Sequence, residues 1–275
     1  VHLHRGGGFS NLALRAALPV EGLNRVKQRA TTRLTTLFHD LIDFCFAAQC
    51  AACDAPATGC FLCSDCDARL DQLAKAPACE CCAMPLAMPD APCPFCRGKG
   101  VSHYESIVAL GRFEEPLKGL IHRMKYRSQW PIAEHLADRL MRKNRAIEAI
   151  GLAERIVAVP LHPIRQLQRG YNQAEVIARR LSGDRIARAV RRSRNTPTQT
   201  NLHSHEQRLE NLRGAFELTD PEAIAGRRVV VIDDVMTSGG TLQAIARVLK
   251  EARPRSLHAV VLAIADPKGR QFQSV

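Results

Sequence analysis

The stretch from Arg228 to Thr241, RVVVIDDVMTSGGT, limits the fold more than any other part of this 275-residue chain. Val229, Val230, Val231 and Ile232 are β-branched and follow one another without a polar break. Such a strand must be covered on both faces, which is the condition of a parallel sheet flanked by helices. Asp233 and Asp234 come where that strand is expected to end, followed by a hydroxyl- and glycine-rich turn, Thr237-Ser238-Gly239-Gly240-Thr241. Leu242, Ile245, Ala246 and Leu249 then recur at helical spacing, so the turn opens a helix.

Strand, acids, small-residue turn and helix start, in that order, describe a place for a phosphorylated sugar. The first backbone N–H groups of a helix lack internal partners, and the helix dipole adds partial positive charge there, so a phosphate is held at that end. Gly239 and Gly240 let the backbone come close, and Thr237, Ser238 and Thr241 offer hydroxyl donors. The two carboxylates would repel a phosphate and are expected to face the vicinal hydroxyls of a ribose instead. A 5-phosphoribosyl group meets both requirements.

The flanking segments read as parts of the same α/β layer. Ser106 to Phe113 is an apolar run expected as a strand, and Pro116 and Pro131 each open an amphipathic helix. Lys125, between those helices, is a candidate phosphate contact or a solvated lysine at a helix end. Arg155 to Pro160 is a second buried strand, and it leads into Pro160, Leu161, His162, Arg165 and Arg169, a basic loop before a helix carrying Ala174, Ile177, Ala178 and Leu181. A basic loop beside an acidic one suits a ligand with both a ribose and a pyrophosphate, whose oxygens Mg²⁺ would bridge. His162 is either a ligand contact or a turn cap. Arg191 to Phe216 is polar and reads as a long loop or hood, from which Arg194, Thr196, Gln199, Arg208, Asn211 and Arg213 would reach over the site. Ser256 to Ala265 is the last strand.

Ahead of this layer the chain carries four CxxC pairs: Cys50/Cys53, Cys63/Cys66, Cys79/Cys82 and Cys93/Cys96. Two thiolates three apart on a tight turn make half of a tetrahedral zinc site, and two such turns complete it. The similar gaps from Cys53 to Cys63 and from Cys82 to Cys93 suggest two short ribbons in tandem. Spacing alone leaves open a nested pairing, first with fourth, and so one zinc ion or two. Cys60 and Cys81 are read as spares, either of which would be placed to displace a neighbour. All-cysteine sites leave no open position for a catalytic water, so the zinc is structural. Clustered CxxC pairs without a convincing secretory signal point to a reducing, cytoplasmic compartment. Leu34 to Phe46 reads as a short helix carrying Cys45 as an apolar residue. The organisation expected is a flexible basic extension at 1–33, a zinc-ribbon region at 34–100 and the α/β domain at 101–275.

The formal net charge is +12, and twelve arginines fall between Arg155 and Arg213 against Glu175, Asp184, Glu206 and Glu210. That excess suggests an anionic partner, either a pyrophosphate-bearing ligand or nucleic acid. The chain lacks the long apolar run that membrane insertion requires.

Val229 to Thr241 resembles the phosphoribosyl pyrophosphate (PRPP) motif of type I phosphoribosyltransferases, with Ser238 and Gly240 where Thr and Ala are commoner. From about Leu34 the chain is similar to the ComF/GntX family. The blocks that carry the likeness are the CxxC pairs, LIHRMKY, VPLH followed by RGYNQAE, the arginine- and asparagine-containing hood pattern ending in RGAF, and DDVMTSGGT. The resemblance implies a type I phosphoribosyltransferase fold and PRPP as ligand. It also implies either a link to natural competence, with single-stranded DNA or the DNA-uptake machinery as partner, or a poorly defined metabolic role. Two functions follow. In one, Asp233 and Asp234 are the catalytic pair of a transferase of unknown acceptor. In the other, the chain is a nucleic-acid-binding or PRPP-sensing module that has lost transfer. Against base stacking stand the few aromatic residues, Trp130, Tyr104, Tyr126 and Tyr171.

Overall fold

A computed structural model describes residues 49–57, 61–98, 101, 103–194, 212 and 214–265, all of which belong to one compact unit, 49–275. The extension at 1–33, the helix expected around Cys45, and Cys60 lie outside the described residues. No helix among the described residues is long and apolar enough to cross a membrane.

The centre is a four-stranded parallel sheet of β1 (Ser106–Arg112), β2 (Arg155–Ala158), β5 (Arg228–Met236) and β6 (Ser256–Ile264), in the order β1-β6-β5-β2. A two-stranded antiparallel ribbon, β3 (Val190–Arg192) with β4 (Phe216–Leu218), stands beside it. The helices are α1 (Ser64–Lys75), α2 (Leu117–Tyr126), α3 (Trp130–Leu140), α4 (Asn144–Leu152), α5 (Pro163–Arg169), α6 (Gln173–Ser182) and α7 (Gly240–Glu251). Because side chains alternate along a strand, the valine run feeds two separate cores. Val229 and Val231 join α7, β4 and Tyr104 on one face. Val230 and Ile232 join α2, α3 and α6 on the other. Both faces are covered, as the unbroken apolar strands require.

Each cysteine cluster is part of one of these cores: Cys50 and Cys66 pack with the α2–α3 face, Cys79, Cys82 and Cys96 with the α7 face. The two leading turns are built alike. The Cys50 N–H donates to Ala55 O at 2.7 Å and the Asp54 N–H to Cys50 O at 3.0 Å; Cys79 and Ala83 repeat this with Met84 O and Cys79 O, each at 2.8 Å. Asp54 and Ala83 take positive φ, 64° and 59°, at the equivalent position, and Pro56 and Pro85 close the turns. The second turn also guards the outer edge of β1, where the Ile107 N–H donates to Cys81 O at 2.9 Å. Cys81, read as a spare ligand, thus contributes a carbonyl.

α1 packs across β1 at Gly111, where a Cβ would stand 3.1 Å from both Leu73 Cβ and Leu73 O. Gly111→Ala is therefore expected to push α1 off the sheet and to destabilise by about 1–3 kcal/mol, read as a lower denaturant midpoint at unchanged slope. Lys143 ties the same corner, its Nζ donating to Ala74 O at 2.6 Å and Leu110 O at 3.1 Å. Arg139, buried, pairs with Asp67 and Asp71 of α1.

The crevice is set by connectivity. The chain leaves β2 toward α6 on one face of the sheet and leaves β5 toward α7 on the other, although β2 and β5 are neighbours. Loops that part to opposite faces open a crevice at the carboxyl ends of the strands, where ligands of open α/β sheets bind. β2 stops at Ala158, opposite Ile232, while β5 continues against β6 as far as Met236. Asp233 and Asp234 therefore lie inside β5 rather than beyond it, on the part whose β2 side is open.

Candidate active site

Thr237, Ser238 and Gly239 make the turn from β5 into α7. Gly239 has φ 75° and serves as N-cap without any side-chain cap. A Cβ there would meet Val101 Cγ1 at 3.7 Å and Met236 Sδ at 4.0 Å, so left-handed backbone, not space, is what calls for glycine. No side chain caps the start of α7. Ser238 Oγ is buried there without a hydrogen-bond partner. A buried hydroxyl left unpaired is costly, and a phosphate oxygen in the turn would satisfy it.

The acids are coupled to each other and to the cations around them. The Asp234 N–H donates to Asp233 Oδ1 at 2.8 Å, and Lys125 Nζ stands 2.9 Å from Asp234 Oδ1. Lys125 is therefore an ion-pair partner of the acids. Burial, and then the charge of Asp234, push the Asp233 carboxyl up to about 7, although the Asp234 N–H, Lys125 and Arg192 pull the other way. An acid whose pKa is raised by folding contributes stability that is present below its unfolded pKa and lost as pH rises through about 7. Asp233→Asn is thus expected to melt with the parent near pH 4 and to be the more stable by about 1–3 kcal/mol near pH 8.5.

Opposite the acids, Val159 to His162 leads not into a loop but into α5, a short helix with no buried residue. His162 Nδ1 accepts from the Ile164 N–H at 3.3 Å, which makes His162 the N-cap of that helix. α5 carries Arg165 and Arg169. Burial and the charge of Arg169 lower the Arg165 pKa, and the Arg169 guanidinium lies 5.6 Å over the Tyr126 ring. The next residues hold the helix in place. Gly170 closes α5 in left-handed conformation, and Ser128 Oγ donates to Arg169 O at 3.2 Å. Tyr171 OH donates to Met124 O, next to Lys125. Asn172 both caps α6 and donates to Val159 O at 3.0 Å, anchoring the α6 start to the end of β2.

Two residues near the acids escape local sequence reading. Arg192, at the end of β3, stacks 5.3 Å over the Phe216 ring; burial and Arg165 lower its pKa to about 10 while Asp233 holds it up. Tyr104 is buried, its OH donating to Leu242 O at 3.0 Å, and burial with the Asp233 charge raises its pKa. Of the hood residues, Arg194 is exposed; Thr196, Gln199, Arg208, Asn211 and Arg213 lie outside the described residues.

The cysteines gather as two sets, Cys50/Cys53/Cys63/Cys66 and Cys79/Cys82/Cys93/Cys96, with the four sulfurs of each within 4.8 Å of one another. The tandem pairing holds and the nested one does not. Sulfur separations are 3.7 Å for Cys53–Cys63 and 3.6 Å for Cys79–Cys96 and Cys82–Cys93. Sulfurs tetrahedrally arranged about 2.3 Å from one ion stand roughly 3.8 Å apart, so both sets fit structural zinc.

A family model for the phosphoribosyl transferase domain matches residues 167–274, from the end of α5 through β6. Competence protein F of Haemophilus influenzae is 34% identical over 198 residues, covering 69% of this chain and 84% of that protein. The chain belongs to the ComF family. The DNA utilization protein YhgH of Escherichia coli K12 is 34% identical over 178 residues, 62% of this chain and 77% of its own length. An adenine phosphoribosyltransferase of Mycobacteroides abscessus is 38% identical over 104 residues, 37% of this chain and 56% of that enzyme. In this phosphoribosyltransferase-like ComF protein the matched region holds β5, the acid pair and the turn into α7, while β2 and Arg165 precede it.

Proposed function

We propose that this ComF protein binds Mg²⁺–PRPP in the β2–β5 crevice and transfers the phosphoribosyl group to an acceptor, in the handling of DNA taken up as a single strand. The observation that carries the reading is that the acid pair, beside a helix start without a side-chain cap, shares one electrostatic neighbourhood with the arginines of α5: Arg192 senses both Arg165 and Asp233, and Tyr171 both Arg169 and Asp234. In this reading Asp233 and Asp234 accept the ribose hydroxyls, and Thr237, Ser238, Gly239, Gly240 and Thr241 hold the 5-phosphate. Pro160, Leu161 and His162 bring Arg165 and Arg169 to the pyrophosphate. Lys125 exchanges Asp234 for a phosphate oxygen, or bridges the two.

The C1–O bond breaks with both electrons leaving on pyrophosphate, and the acceptor's lone pair closes on C1 as the acceptor gives up a proton. The carboxylates below the ring stabilise the positive charge that develops there, and the arginines stabilise the leaving group. Mg²⁺ would neutralise pyrophosphate charge. Among the described residues only the cysteine sets bring three or more metal-ligating groups together, so most of the Mg²⁺ ligands would be oxygens of the substrate. The names of its relatives, competence and DNA utilization, support the DNA context, and the reduced cysteine sets support the cytoplasm.

Calorimetry of PRPP with and without Mg²⁺, repeated with single-stranded DNA, tests binding, and a pyrophosphate-release assay across nucleobases tests transfer. Saturable, Mg²⁺-dependent binding with release by at least one acceptor is the expected result. Binding without release would favour a sensing module, and no binding at millimolar PRPP would end the reading.

A further inference from the structure

We propose that the second cysteine set braces the phosphate turn: an ion held by Cys79, Cys82, Cys93 and Cys96 sets, through Val101 and Tyr104, how firmly residues 237–242 are formed. Metal occupancy of this set, and not of the Cys50–Cys66 set, then governs affinity at the phosphate end of the crevice. The affinity claim rests on the functional reading above; the brace itself does not.

Val101 and Tyr104, a few residues past Cys96, lie under the turn and in the core of Cys79, Cys82 and Cys96. Val101 lies against Gly239, its Cγ1 3.7 Å from where a Cβ would be, and the Tyr104 N–H donates to Val101 O at 3.0 Å, so the two residues form one small unit. Tyr104 OH reaches Leu242 O in the first turn of α7 at 3.0 Å. Met236, which precedes the turn, is buried in the same core as Cys79, Cys82 and Cys96. The floor of the turn is thus Val101 and Met236, and its far side is held by Tyr104.

What holds that unit is tethered at two ends. At one, the Glu105 N–H donates to Leu257 O at 2.8 Å, so the sheet fixes it. At the other, the Arg97 N–H donates to Cys93 O at 3.1 Å, within the cysteine set. Withdrawing the ion loosens the core that Val101 and Tyr104 share with Cys79, Cys82 and Cys96, leaving the sheet contact at Glu105 as their other support. The Cys50–Cys66 set packs into the opposite core and reaches the crevice by another route, Asp54 pairing with Arg123 of α2 at 2.5 Å. Damage there is transmitted to Lys125, not to the phosphate turn.

Hydrogen exchange at the amides of residues 237–242, together with calorimetry of ribose 5-phosphate, separates the two sets. Tyr104→Phe keeps the ring and the metal content; it is expected to speed exchange at 237–242 and weaken ribose 5-phosphate by about fivefold each, as loss of one neutral hydrogen bond predicts. Cys93→Ser is expected to exceed both effects, while Cys53→Ser leaves exchange at 237–242 within about twofold of the parent, since uncoupled sites stay independent. Unchanged exchange there in Tyr104→Phe, or equal acceleration in Cys53→Ser and Cys93→Ser, overturns the brace. Should Cys93→Ser not fold, exchange at 237–242 in Cys53→Ser with and without a chelator, which then strips the second set alone, decides instead; no acceleration on stripping overturns the brace. If the parent binds no ribose 5-phosphate, the functional reading fails and the exchange data still judge the brace.

Discussion

Asp233→Asn combined with Asp234→Asn is expected to weaken Mg²⁺–PRPP binding by at least about a hundredfold, two charge-assisted hydrogen bonds being worth roughly 1.5–3 kcal/mol each. The chain should stay folded. Neither substitution changes side-chain volume appreciably, and one removes a buried charge whose ionised form is disfavoured. The cost on the other side is Lys125, which loses its partner at 2.9 Å but remains at the C-terminal end of α2, where the helix dipole favours a cation. Calorimetry gives the affinity and a thermal melt gives the fold. Binding within about tenfold of the parent, in a chain that melts normally, would remove the acids from the role given to them. The parent should also bind about tenfold more weakly at pH 6 than at pH 8, because Asp233 takes up a proton below about 7, and the double variant should be flat over that range.

Stripping both ions with a chelator is expected to lower the melting temperature by at least about 10 °C, at roughly 2–4 °C per kcal/mol for a body of this size. A structural zinc site is worth about 10–16 kcal/mol in isolated peptides, against roughly 5–15 kcal/mol of net stability for a whole domain. Both sets are built into cores of the sheet rather than standing apart from it: Cys50 and Cys82 are fully buried. Loss of the ions would leave thiols packed where burial already raises the pKa of Cys66 and Cys82. Elemental analysis should find two zinc ions per chain and one in Cys82→Ser. Fewer than one ion in the parent, or a melt indifferent to the chelator, would refute structural zinc.

Much of this arrangement could be read from local pattern, because local pattern encodes it. The β-branched run at 229–232 and the apolar run at 259–264 demanded cover on both faces and have it. The similar gaps from Cys53 to Cys63 and from Cys82 to Cys93 anticipated two separate sulfur sets. What escaped was non-local or too short to be periodic. α5 is a seven-residue helix whose Leu167 is 86% exposed, so no apolar face announces it, and its arginines were read as loop residues. α4 passed without assignment. The ribbon of β3 and β4 joins segments on either side of 195–211, and single strands of three residues carry no usable alternation. Arg192 reaches the acids only because of that pairing. Lys125 was weighed as a phosphate contact or a solvated lysine, but its ion pair with Asp234 spans more than a hundred residues of sequence, a distance at which spacing is silent.

Open sheets carry a hazard at their outermost strand, whose unpaired main-chain groups can recruit a strand from another molecule. Here the Ile107 N–H on β1 is occupied by the carbonyl of Cys81, a residue between two thiols that a cation would draw together. Holding the ion is therefore expected to keep this edge of β1 covered. Metal starvation should surface first as concentration-dependent clumping through β1, before any loss of helix is seen.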